Sequence, residues 1–141
     1  MLPCLFLSHR LAAGCLLIQD KVSQEGVLVG APLRLSSLHM LEPAQLLQGM
    51  DLRALILTEG HLLNAARAAE LAHRYGLPIW APASILPQLH GLLREAKAAG
   101  LCGVKTPVIT RFLEDESIIE LGRETSTWKA LKEWLDKENL A

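Results

Sequence analysis

Leu55-Ile56-Leu57-Thr58-Glu59-Gly60-His61-Leu62-Leu63-Asn64, continued by an alanine-rich stretch to Tyr75 and by Gly76-Leu77-Pro78-Ile79-Trp80-Ala81-Pro82, decides the fold. The continuous apolar run Ala54–Thr58 is what a strand buried on both faces requires. Leu62 to Tyr75 is free of breakers and is closed by Gly76, with Pro78 just beyond, so it reads as one helix. Its alanines allow a close approach to a sheet. Pro78–Ala81 makes the next strand, which completes a strand-to-helix crossover through Thr58.

Working outward, Leu2–Ser8 and Cys15–Gln19 are short apolar runs separated by Ala12-Ala13-Gly14. With Val27–Val29 beyond the polar turn Asp20–Glu25, they predict a small antiparallel set. Glu42-Pro43-Ala44-Gln45-Leu46-Leu47 predicts a short helix with proline in its first turn, ended by Gly49. Leu86 to Ala99 predicts a further helix, with Leu86, Leu89, Leu92, Leu93 and Ala96 on one side, His90 facing solvent and Gly100 as terminator. Val108–Phe112 and Ile118–Leu121 flank the acidic turn Glu114–Glu116 and predict a hairpin. Thr127 to Leu140 predicts a terminal helix, N-capped by Ser126, with Trp128, Leu131, Trp134 and Leu135 at helical spacing.

The segment from Leu55 to Pro82 resembles the metal-binding core of the metallo-β-lactamase superfamily, in its hydroxyacylglutathione-hydrolase-like form. In that family an apolar strand runs into Thr-His-x-His-x-Asp-His, then a helix, a Gly-x-Pro turn and a strand ending in Ala-Pro. Here Thr58 holds the strand end, Glu59 stands for the first His, His61 for the second, Leu63 for the Asp and Asn64 for the third His. Gly14–Asp20 and Gly26–Pro32 resemble the family's opening hairpin, with Gly30 in the place of its Asp. Val108–Gly122 resembles the hairpin before the family's second half. The similarity covers roughly residues 14 to 122. It implies a partial metallo-β-lactamase-like α/β (α+β) fold over 1–141, a mixed sheet with helices on one face, followed by a C-terminal helical extension over 122–141.

The same resemblance puts a residual metal set at His61, Glu59 and Asn64, and no catalytic residue. Catalytic zinc takes about three protein donors plus an open position for water. His61 is a good donor, Glu59 a usable one, and Asn64 offers a neutral amide oxygen. Leu63 removes the carboxylate that steers a metal-bound water or holds a second ion. A local hydrogen-bonding role for His61 and a solvated strand-end carboxylate for Glu59 are the plainer readings, as is helix-dipole stabilisation for His73. The expectation is a non-catalytic relative acting as a scaffold or binding protein, without a cofactor. The alternative is a hydrolase holding one zinc, iron or manganese ion and acting on an ester or thioester. Against it, Glu59 cannot serve as both ligand and general base. No Gly-x-Ser-x-Gly turn offers another nucleophile.

Composition narrows the partners. The chain has 141 residues, 50% of them hydrophobic, a formal net charge of −1 and a mean hydropathy of +0.25. That apolar balance leaves surface for a partner. Basic residues are scattered among acids, so the concentrated positive potential that nucleic acid demands is missing. No apolar stretch approaches the roughly 20 residues that span a bilayer. Cys4, Cys15 and Cys102 are odd in number and lack Cys-x-x-Cys spacing, which points to buried free thiols in a reducing cytoplasm. Leu11-Ala12-Ala13-Gly14-Cys15 loosely resembles a lipoprotein cleavage box, but His9 and Arg10 interrupt the apolar run before it. A sheet with helices on one face must bury the other. Either the terminal helix covers it or a second copy does so in a two-fold pairing; the homodimer is the expectation.

Overall fold

Val27-Leu28-Val29 and Ala54-Leu55-Ile56 send side chains alternately to the two faces of one sheet, and all six residues are buried, as the two-residue period of a strand requires when both faces are covered. A computed structural model describes residues 6–12, 15–20, 22–31 and 51–137. Among them β1 (Phe6–Ala12), β2 (Cys15–Asp20), β3 (Glu25–Val29), β4 (Asp51–Ile56), β5 (Ile79–Ala81) and β6 (Arg111–Phe112) form a sheet in that spatial order. The pairs β1/β2 and β2/β3 are antiparallel, and β3/β4, β4/β5 and β5/β6 are parallel. Helices α1 (Leu62–Ala65) and α2 (Ala68–Tyr75) lead from β4 to β5. A 3-10 turn over Ala83–Ile85, then α3 (Leu86–His90) and α4 (Leu92–Ala98), lead towards β6. A separate hairpin, β7 (Ile118–Leu121) with β8 (Glu124–Thr127), precedes α5 (Trp128–Lys137).

Two apolar layers sandwich the sheet. On one face Leu17, Leu28 and Leu55 meet Ala65, Ala68 and Leu71 of α1 and α2 and Leu89, Leu92 and Ala96 of α3 and α4. On the other, Leu16, Ile18, Val27, Val29, Ala54 and Ile56 meet Ile119 and Leu121 of β7 and Trp128, Leu131 and Leu135 of α5. The terminal helix and the hairpin are therefore the cover of the second face, and these strands need no second copy to bury them. The first turn of α5 is held by turn carbonyls: Trp128 N–H donates to the Ser117 carbonyl (2.7 Å) and Lys129 N–H to that of Asp115 (3.1 Å). Arg111 links the layers, its guanidinium stacking on Trp80 at 4.7 Å and donating to the Ile118 carbonyl at 2.8 Å.

Several boundaries differ from the sequence expectation. The helix expected over Leu62 to Tyr75 is two helices. Asn64's carbonyl is drawn to Ala31 N–H at 2.6 Å, and Arg67 leaves helical geometry at φ −107°, ψ 12°. Its end is as expected: Gly76 is left-handed at φ 64°, and Leu77 N–H reaches back to the Ala72 carbonyl, the Schellman arrangement. The helix expected over Leu86 to Ala99 breaks at Gly91, a poor helix former by about 1 kcal/mol, which sits at φ −94°, ψ −2°.

The hairpin expected between Val108–Phe112 and Ile118–Leu121 does not form. Arg111–Phe112 instead joins the main sheet beside β5, and β7 pairs with Glu124–Thr127. Gly122, at φ +62°, opens the two-residue loop between them, a position that favours glycine in hairpins. Part of the expected helical extension over 122–141 is thus strand. The cap of α5 is Thr127, whose Oγ1 accepts Ala130 N–H at 3.1 Å, one residue later than the expected Ser126. β1 runs through His9 and Arg10 to Ala12, pairing with β2 along its length. Cys15 is buried, as expected, whereas Cys102 is exposed in the turn that follows α4. The expected helix at Glu42–Leu47, its terminator Gly49 and Cys4 lie outside the described residues.

Candidate functional site

The chain leaves β4 at Ile56 and enters α1 at Leu62, so the intervening loop must find acceptors for its backbone N–H groups outside any ladder. Asn64 supplies two of them: its Oδ1 accepts Thr58 N–H at 3.2 Å and Glu59 N–H at 3.1 Å. Gly60 N–H donates to Gln88 Oε1 at 2.6 Å, and Leu62 N–H to Glu95 Oε1 at 3.3 Å. The His61 carbonyl accepts Asn64 N–H and Ala65 N–H, which starts α1. Gln88 and Glu95 were not legible as loop-holding residues. They lie 28 and 33 positions away in sequence, and no local pattern announces such a contact.

This geometry decides what the three candidate ligands can do. Asn64 is 4% exposed and its amide oxygen already receives two hydrogen bonds, which use both of its lone pairs. It has none left for a cation. The His61 residue is exposed and Glu59 half-buried; the side chain of Leu63 lies outside what the structure describes. Among the described residues no three His, Cys, Asp or Glu side chains converge as an ion would need. One imidazole and one carboxylate fall short of the roughly three donors of a catalytic centre. The residues present do not fit the metal that the resemblance implies.

Beside the loop lies a cavity of about 150 Å³. Its floor is formed by Val29, Thr58 and Glu59 at the carboxyl ends of β3 and β4, its side by Pro82 and Ser84 after β5. The roof is one face of α5, with Trp128, Lys132, Leu135 and Asp136. Thr58 Oγ1 is sealed from solvent and has no hydrogen-bond partner. Lys132 is engaged by Asp115, Nζ to Oδ1 at 3.2 Å. Crevices outside the carboxyl ends of parallel strands are where open α/β sheets bind ligands. Lys132 and Asp136 escape a sequence reading because nothing in the spacing of α5 says which strand ends it will cover.

The order of a six-stranded mixed sheet, helices on one face and a hairpin on the other can be compared directly with solved structures. BJP-1, a subclass B3 metallo-β-lactamase of Bradyrhizobium japonicum, superposes with a TM-score of 0.60 over 85% of this chain and 50% of its own, at 19% identity. The chain has a metallo-β-lactamase fold. A B3 metallo-β-lactamase described as the first with an active-site glutamic acid matches at a TM-score of 0.56 and 20% identity, over 80% of this chain and 44% of its own. TTHA1623, solved in a di-iron-bound form, matches at 0.57 and 21%, over 82% and 56%. The chain spans about half the length of these structures, and at such identities the likeness establishes the metallo-β-lactamase fold alone. No protein-family profile and no curated protein sequence matches the chain. No helix among the described residues is long and apolar enough to cross a membrane.

Proposed function

We propose that this chain is a non-catalytic protein of metallo-β-lactamase fold, a binding scaffold in which the former ligand loop has become structural. The observation that supports this reading is the double hydrogen bond from Thr58 and Glu59 N–H to Asn64 Oδ1. A side chain spent on holding the loop is unavailable to an ion. Free Cys15, whose thiol burial pushes up to about 12, suits a reducing cytoplasm.

The rival reading is a hydrolase with one zinc, iron or manganese ion on His61 and Glu59, acting on an ester or thioester. The neighbour described by its active-site glutamic acid favours it, since Glu59 occupies a ligand position of the resembled motif. Elemental analysis separates the two. Purified protein is expected to carry well under one equivalent of these metals, and His61→Ala, at an exposed position, to shift stability by no more than about 0.5 kcal/mol. Stoichiometric metal that disappears in His61→Ala would overturn the scaffold reading.

Self-association belongs to the same proposal, but through a different surface from the one first expected. β6 is an outer strand of the main sheet; its Phe112 is 49% exposed, and Val108, three residues before the strand, is 75% exposed. An open edge with apolar side chains is a template for strand pairing. Light scattering on a sizing column is expected to give twice the chain mass; a monomer at micromolar concentration removes the dimer.

A further inference from the structure

We infer that a second copy of this chain pairs antiparallel with β6 about a two-fold axis at Thr110, because the stretch from Lys105 to Asp115 is complementary to itself. The inference rests on the self-association reading above and deepens it by fixing which residues meet.

Sequence gives the register. Before Thr110 the chain reads Lys105-Thr106-Pro107-Val108-Ile109, and after it Arg111-Phe112-Leu113-Glu114-Asp115. With Thr110 opposite Thr110, Val108 of each copy stands opposite Phe112 of the other, and Lys105 opposite Asp115, flanked by Glu114 and Glu116. Val108 and Phe112 are the exposed large apolar residues of this edge, and such directly opposed pairs are what stabilises a sheet. An axis one residue later sets Arg111 against Arg111 and Val108 against Glu114. An axis one residue earlier sets Phe112 against Thr106 and Lys105 against Leu113. Both lose the apolar pairs, and the first also opposes like charges.

The backbone of this edge is open to such pairing. Leu113 N–H donates to the Ala81 carbonyl at 2.9 Å and so faces β5. Successive residues of a strand turn their backbone groups to opposite sides, so Phe112 presents its N–H and carbonyl outward, where an outer strand leaves them unpaired. In this register they meet those of Val108. β6 itself spans Arg111–Phe112, and pairing extends it back to Val108 across the bend at Thr110. The Thr110 N–H is already given to the Ile79 carbonyl at 2.9 Å, so the axis position contributes no bond. Pro107 has no N–H to give and ends the ladder.

Charge fixes the direction. Lys105 is exposed and precedes the strand, whereas Glu114, Asp115 and Glu116 are exposed and follow it. Lys132 engages Asp115, Nζ to Oδ1 at 3.2 Å, which leaves the turn negative through the other two carboxylates. Antiparallel pairing brings each Lys105 to the other copy's acidic turn. Parallel pairing sets lysine against lysine and acidic turn against acidic turn. Exposed ion pairs are weak singly, yet the contrast between opposite-sign and like-sign contacts selects orientation and register.

The test is charge reversal, read by sedimentation equilibrium of the full chain. Lys105→Glu, and separately Glu114→Lys with Glu116→Lys, are each expected to weaken self-association by about tenfold, since like charges then meet at both ends of the interface. All three positions are exposed, so the variants keep the fold. Mixed in equal amounts, the two variants are expected to pair with each other about as tightly as the parent does with itself, because both contacts then join opposite charges. In about 1 M salt the differences are expected to vanish. A mixture no tighter than its components, or a Lys105→Glu variant that dimerises like the parent, would overturn the inference. A parent that stays monomeric defeats self-association altogether, whereas a parental dimer indifferent to these charges defeats only the register.

Discussion

Gly60→Ala is expected to destabilise the protein by about 3 kcal/mol, at the upper end of the range for overpacking a well-filled interior. The measurement is a urea unfolding curve whose midpoint falls while its slope is kept. A methyl group at residue 60 would stand 2.7 Å from Gln88 Cβ, 2.8 Å from Leu89 N and 2.9 Å from the Ile85 carbonyl oxygen. Two of these are backbone atoms, which cannot rotate out of the way. Nor can α3 recede, because Ile85 and Leu89 are 3% and 2% exposed and belong to the helix-side core. Any shift also stretches the Gly60–Gln88 hydrogen bond. The opposing effect is the smaller entropy of an unfolded chain with alanine, worth about 0.4–1 kcal/mol, so the clash wins. A variant within about 0.5 kcal/mol of the parent would mean that the loop does not lie against α3 as described.

That close approach marks the boundary of what the residues disclose by themselves. Local signals were sufficient where a local rule governs. The two-faced strand Ala54-Leu55-Ile56, the left-handed stop at Gly76 and the buried stripe Trp128, Leu131, Leu135 follow from periodicity and capping chemistry. They were less reliable where tertiary contacts compete with propensity. Nothing near Asn64 indicates that Ala31 N–H will take its carbonyl and split the alanine-rich helix. Nothing near Ile118 indicates that Glu124–Thr127, polar throughout, will pair with it in preference to the more apolar Val108–Phe112; a left-handed Gly122 and a two-residue loop make the closer partner the better one. At the site, the chemical types at 59, 61 and 64 were legible. Which atoms Asn64 holds, and which helix roofs the strand ends, depended on contacts between distant segments.

Asn64→Ala is expected to cost about 2–4 kcal/mol, because it strips the acceptor from two backbone N–H groups at once and each bare donor costs about 1–3 kcal/mol. Thr58 and Glu59 are half-buried, so entering water recovers part of the loss, which places the value below the sum of two full penalties. Asn64→Asp keeps an oxygen that accepts both bonds, now charge-assisted, and sets that gain against burying a carboxylate; its stability is expected to lie well above that of the alanine variant. Asn64→His restores the residue type of the resembled motif, yet a ring nitrogen accepts a single hydrogen bond, leaving one donor bare. It is expected to fall between the other two in denaturant midpoint and to gain no stoichiometric metal, since Leu63 still occupies the carboxylate position. If histidine instead raised both stability and metal content, the loop would be a dormant centre one substitution from use. If alanine were tolerated, the two bonds to Oδ1 would carry no weight. The physical content of the order Asp above His above Ala is that a side chain ties two strand-end amides together here, and that the oxygen doing so cannot also face a cation.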